Sequence, residues 1–112
     1  LATKVYEVSE IELQDGTKIT LRPLPINKLR KFMDVMLKMD GSQSEEQVVE
    51  TLIEAASFGI SQSAPELAND REKLGDVLDM PTIKHIIKIC GGVDLDDPNL
   101  IAAALATGQS SI

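Results

Sequence analysis

Between residues 4 and 22 apolar side chains recur at every second position, the spacing of a strand that turns alternate residues toward a core. Asp15-Gly16 divides the stretch and marks a hairpin turn. A two-residue loop would set Leu13 against Lys18 and Ile19 against Glu12, mixing apolar and charged residues on both faces. A three-residue loop, Gln14-Asp15-Gly16, pairs Leu13 with Thr17 and Ile11 with Ile19, and sets Glu12 opposite Lys18 on the other face. It also puts Gly16 where a left-handed backbone is needed, so the three-residue loop is the expectation. Tyr6 and Val8 fall on the otherwise polar face, which calls for a bulge or an apolar cover. Arg22-Pro23-Leu24-Pro25 then ends the second strand, because proline has no N–H for a ladder and holds its predecessor extended.

From residue 26 the period becomes helical. Ile26, Leu29, Phe32, Met33, Met36 and Leu37 recur at helical spacing and predict an amphipathic helix over residues 26–39, stopped by Asp40-Gly41. Ser44 followed by Gln47 is a capping box for a second helix that buries Val48, Val49, Leu52, Ile53 and Ala56 and ends at Gly59. Ser63 and Glu66, with Pro65 at the first helical position, predict a short third helix. Residues 70–79 carry Leu74, Val77 and Leu78. Another helix starts near Pro81, buries Ile83, Ile86, Ile87 and Cys90, and closes at Gly91-Gly92. Asp97-Pro98 opens a last helix over residues 99–107, and the small polar tail of residues 108–112 is expected to fray. The expected fold is α+β in a single domain over residues 1–112. A β-hairpin and Pro-rich connector fill residues 1–25, and a mostly helical bundle of four to five short helices fills residues 26–107.

Composition narrows the function. The 112 residues are 43% hydrophobic, enough for one small core, yet Tyr6, Phe32 and Phe58 are the only aromatics. The core is therefore aliphatic, and the stacking platforms of single-strand nucleic-acid binders are missing. A net charge of −7 argues further against nucleic acid as a partner. The charge is uneven: residues 1–40 hold seven Lys/Arg against six Asp/Glu, and residues 41–80 hold two against nine. No apolar run approaches the ~20 residues of a membrane span, no signal-peptide pattern opens the sequence, and one cysteine suits a reducing compartment.

Candidate chemistry is thin. His85, the only histidine, points away from the apolar face of its helix and reads as solvent-exposed. Cys90 reads as a small buried hydrophobe. GISQS at residues 59–63 lacks the second glycine and the preceding strand of a nucleophile elbow. Asp94, Asp96 and Asp97 lack the spacing and closing glutamate of an EF-hand and read as helix-capping carboxylates. No Walker or dinucleotide fingerprint occurs. No catalytic, metal or cofactor site is expected, and the chain reads as a non-enzyme.

Surfaces remain. Glu46, Glu50 and Glu54 form a like-charge stripe at four-residue spacing, which weakens a helix by a few tenths of a kcal/mol per pair (about 0.2–0.5). Lys28, Lys31 or Lys38 alongside, solvent, or a basic partner would relieve it. Arg22, Lys28, Arg30 and Lys31 gather at a helix N-terminus, the wrong end for the dipole. Leu100, Ile101 and Leu105 lie in an uncharged stretch that packs on the domain's own core or on another protein.

DGTKITLRPLPINKLRKFM (residues 15–33) resembles the N-terminal region of tail assembly chaperones from long, flexible-tailed bacteriophages, and DDPNLIAAALATG (residues 96–108) resembles a closing motif of those proteins. Together the two stretches cover about a third of the chain. The resemblance implies a small protein of the host cytoplasm that binds the tape measure protein, recruits tail-tube protein to it and is absent from the finished virion. Many such proteins also have a longer, frameshifted form. The family carries no shared catalytic residues. Beside this stand two other expectations, a structural tail or connector protein retained in the particle, and an acidic inhibitor of a host enzyme. Self-association is a further expected interaction.

Overall fold

The hairpin forms in the register that its side chains dictate. In the computed structural model, which describes residues 8–39 and 43–95, β1 (Ser9–Glu12) pairs antiparallel with β2 (Lys18–Leu21), Ile11 opposite Ile19 and Glu12 opposite Lys18. The loop is the three-residue one: Gly16 N–H donates to Leu13 O at 2.9 Å, Leu13 N–H donates to Thr17 O at 2.8 Å, and Gly16 takes φ +89°. Asp15 Oδ1 accepts the Thr17 N–H, a bond that holds its carboxyl below the usual range. The ladder runs through residues 9–12 and 18–21 without a bulge, and Val8 is simply exposed; Tyr6 lies outside the described residues.

Among the described residues five helices follow: α1 (Ile26–Met36), α2 (Glu45–Ile60), α3 (Pro65–Ala68), α4 (Arg71–Val77) and α5 (Met80–Gly91). The α+β expectation holds. Helix α2 starts with both halves of the capping box, Ser44 Oγ accepting Gln47 N–H and Gln47 Oε1 accepting Ser44 N–H. The caps of α4 and α5 are Asp70 and Asp79, whose carboxylates accept the N–H of Lys73 and Thr82. Helix α5 ends on Gly92 at φ +70°.

Leu13, Ile19 and Leu21 of the hairpin meet Phe32 and Val35 of α1, Leu52, Ala56 and Ile60 of α2, and Ile83, Ile86 and Ile87 of α5 in one aliphatic core. Backbone and side-chain bonds fix the hairpin to it. Gln14 N–H donates to Val77 O, and its side-chain amide donates to Asp79. Thr20 N–H, on the outer edge of β2, donates to Ser63 Oγ at 3.1 Å. Ser63 is thus not the cap of α3, as the sequence pattern suggests. Ala64 holds that position without a side-chain bond, and the serine occupies a strand edge that would otherwise be unpaired.

Two further boundaries differ from the pattern. Helix α1 stops at Met36, and its last turn tightens so that Lys38 N–H reaches Val35 O and Met39 N–H reaches Met36 O. Gly59 does not end α2. It lies buried inside the helix, where a Cβ would stand 2.6 Å from Cys90 Sγ, so its role is close approach of α2 to α5.

Asp79 ties cap and hairpin together, and this makes stability depend on pH. Bonds from the Thr82 hydroxyl and N–H and from the Gln14 amide hold its carboxyl below the ordinary 3.8. A group depressed in the folded state adds stability above its unfolded value, and that stability disappears as pH falls through the folded value. The urea midpoint should therefore drop as pH is lowered beneath about 4, and Asp79→Asn should drop less over the same window. An equal drop in the two proteins would remove Asp79 from the account.

Candidate interaction surfaces

The apolar arc of α1 is wider than the core that receives it. Phe32 and Val35 are buried, and Leu29 and Met36 are half-buried against the same core. Ile26, Met33 and Leu37, three of the six apolar positions at helical spacing, are 63%, 44% and 75% exposed. Their spacing of seven and four residues aligns them in one stripe along α1. Arg30, four residues from Ile26 and three from Met33, stands on the same stripe and is exposed. The sequence signal was available: six apolar positions over twelve residues subtend more of the helix than one flat contact covers. Val49, expected in the core, is 39% exposed on α2.

The basic cluster divides. Arg22 belongs to the connector, where its carbonyl accepts the Gln62 side-chain amide at 2.9 Å while its side chain is exposed. Lys28 and Lys31 are exposed on α1 but off the Ile26–Arg30–Met33–Leu37 stripe, three residues apart from each other. Among the described residues neither lies within ion-pair distance of a carboxylate. The start of α1 has no side-chain cap on Pro25 and no acidic residue in its first turn, so these cations face an uncompensated dipole end.

The acidic stripe on α2 is relieved from one end only. Lys38 Nζ lies 3.8 Å and Arg71 Nη2 3.9 Å from the Glu54 carboxylate, so cations from α1's trailing turn and from α4 converge on it. Lys38 is the one of the three expected lysines that serves. Both pairs are solvent-exposed and add roughly 0–1 kcal/mol apiece. Glu46 and Glu50 have no cation within that distance among the described residues. Together with Gln43, Ser44 and Gln47 they line an open, polar groove that ends at Lys38 and Arg71. Arg71 was not anticipated from sequence, because its helix is brought to Glu54 only by the tertiary fold.

The remaining candidates behave as small structural parts. His85 is exposed on α5, with Nε2 3.2 Å from Ser9 Oγ of the hairpin. Cys90 is buried between α2 and α5, and burial pushes its thiol up to about 11, leaving it protonated and poorly nucleophilic at neutral pH. Asp94 sits 3.8 Å from Lys88. Asp96, Asp97, Leu100, Ile101 and Leu105 lie outside the described residues. Among the described residues no helix is long and apolar enough to cross a membrane. No protein-family model, curated protein or solved structure matches the chain.

Proposed function

We propose that this chain is a tail assembly chaperone of long, flexible-tailed bacteriophages, working in the host cytoplasm to keep the tape measure protein and tail-tube protein soluble until they assemble. The observation that carries this reading is the outward stripe of α1, an apolar line of Ile26, Met33 and Leu37 with Arg30 on it. A tape measure chain presents amphipathic helices until the tube encloses it, and such helices dock apolar face to apolar face. Met33 adapts its thioether to irregular client surfaces, while Arg30 fits acidic residues beside a client's apolar line. The acidic groove of α2 supplies the opposite sign for basic client segments, and the net charge of −7 keeps a loaded complex dispersed. The resemblance of residues 15–33 and 96–108 to these chaperones supports the choice of client.

The test is a tagged pull-down from cells that express the chain with its native neighbouring genes. Wild-type protein should recover a long helical protein that precipitates when the chain is omitted. Met33→Glu with Leu37→Glu should abolish that recovery while the melting temperature holds, since exposed substitutions move stability by about 0.5 kcal/mol or less. Lys28→Glu with Lys31→Glu, off the stripe, should weaken recovery partially and more at low salt. Full recovery with the Met33/Leu37 variant, or assembly of the lone chain into rings or tubes, would sink the chaperone assignment.

A further inference from the structure

Reversed end for end, the exposed face of α1 is complementary to itself. Ile26 and Leu37 mark the two ends of the apolar stripe, about 16 Å apart along the helix axis, with Met33 between them. Leu29 and Met36, half-buried against the core, border it on one side. Arg30 and Asp34, both exposed and one turn apart, lie toward the other side. The pairs Ile26/Leu37, Leu29/Met36 and Arg30/Asp34 are all centred within half a residue of Phe32. Lys38, in the trailing turn, has Glu54 as its ion partner, but among the described residues neither Arg30 nor Asp34 lies within ion-pair distance of an opposite charge.

We infer that a second copy of this chain docks antiparallel on this face, across a twofold axis at the level of Phe32. Such a contact is isologous, so each pair is made twice. Ile26 meets the second copy's Leu37, Leu29 meets its Met36, and Arg30 meets its Asp34. Parallel docking would set Arg30 against Arg30 and Asp34 against Asp34, like charges that repel. A uniformly acidic or basic helix would leave one of the two charges unanswered. A reversed copy answers both and covers Ile26, Met33 and Leu37 from water. The contact spans only three helical turns, short of the roughly 1,200 Å² of a standard interface, so the dimer is weak and reversible. It conceals the stripe that the proposed client uses, so client and second copy compete. That competition rests on the client reading, whereas the dimer does not.

Sedimentation equilibrium of the full chain without client, at up to about 1 mM, tests it. Wild type should show a monomer–dimer equilibrium. Arg30→Asp and Asp34→Arg should each weaken it at least about tenfold, because symmetry repeats every new repulsion. Urea midpoints should hold in both variants, since both side chains are exposed. Mixed together, the two variants should associate with each other, because each supplies the charge that the other lacks. Orientation has its own readout. Chains carrying Ile26→Cys, mixed with chains carrying Leu37→Cys, should oxidise to the mixed disulfide about tenfold faster than either joins itself. A wild-type chain that stays monomeric would overturn the inference, and so would a dimer indifferent to both reversals or a mixture that stays apart. Faster self-joined disulfides would overturn the antiparallel arrangement. A dimer that obeys these rules beside a failed pull-down removes the client reading alone, and a monomer beside a successful pull-down removes the dimer alone.

Discussion

Phe32→Ala is expected to lower the unfolding free energy by about 3–5 kcal/mol, the largest loss from any single truncation in this chain. Phe32 is fully buried and is the largest of the side chains with no exposure. Its ring lies where α1 touches α5, over the flat surface left by Gly91. Removing it leaves a void that aliphatic neighbours fixed to α2, α5 and the hairpin cannot fill without moving whole elements. Against a total stability of roughly 5–15 kcal/mol for a domain of this class, such a loss leaves a large unfolded fraction at 37 °C. Met33→Ala, one residue on but exposed, is the control and should cost little. Urea unfolding of both variants checks the pair. Equal effects would mean that α1 is rotated from the orientation described.

That contrast also marks what was legible in the sequence. Local chemistry was readable: the Gln14-Asp15-Gly16 loop follows from pairing Ile11 with Ile19, and the Ser44–Gln47 box from residues three apart. Each depends on groups separated by few residues, so no knowledge of the packed fold is required. Orientation of α1 was not readable. Its apolar arc is wide enough to fit a core from more than one direction, and only contact with α2 and α5 selects Phe32 and Val35 over Met33 and Leu37. Ser63 failed for the same reason. It has the spacing of a capping residue, yet a strand edge forty-three residues earlier in the chain takes its oxygen. The candidate site was half legible: sequence picked out charges on α1 and α2, but Arg71 at Glu54 and the apolar stripe beside Arg30 depend on tertiary placement. Leu100, Ile101 and Leu105 lie beyond the described residues.

Glycines give the second large effect, with opposite signs at two positions. Gly75 lies exposed inside α4 with nothing within 4 Å of where a Cβ would stand. Gly75→Ala should therefore stabilise the chain by about 0.5–1 kcal/mol through the lower conformational freedom of the unfolded state. Gly91→Ala brings a similar helical gain, but its Cβ would fall on Cε1 and Cζ of the buried Phe32 ring. The ring cannot swing away, because the core closes around it. Overpacking of this kind costs about 1–3 kcal/mol, so the net change is destabilising. A double-mutant cycle locates the cause. Phe32→Leu removes the ring's far edge, and Gly91→Ala should then cost less by about 0.5–3 kcal/mol than it does in the wild-type background. Equal costs in both backgrounds would show that the α1–α5 contact is not limited by this pair, and a stabilised Gly91→Ala single variant would show that the helices stand farther apart.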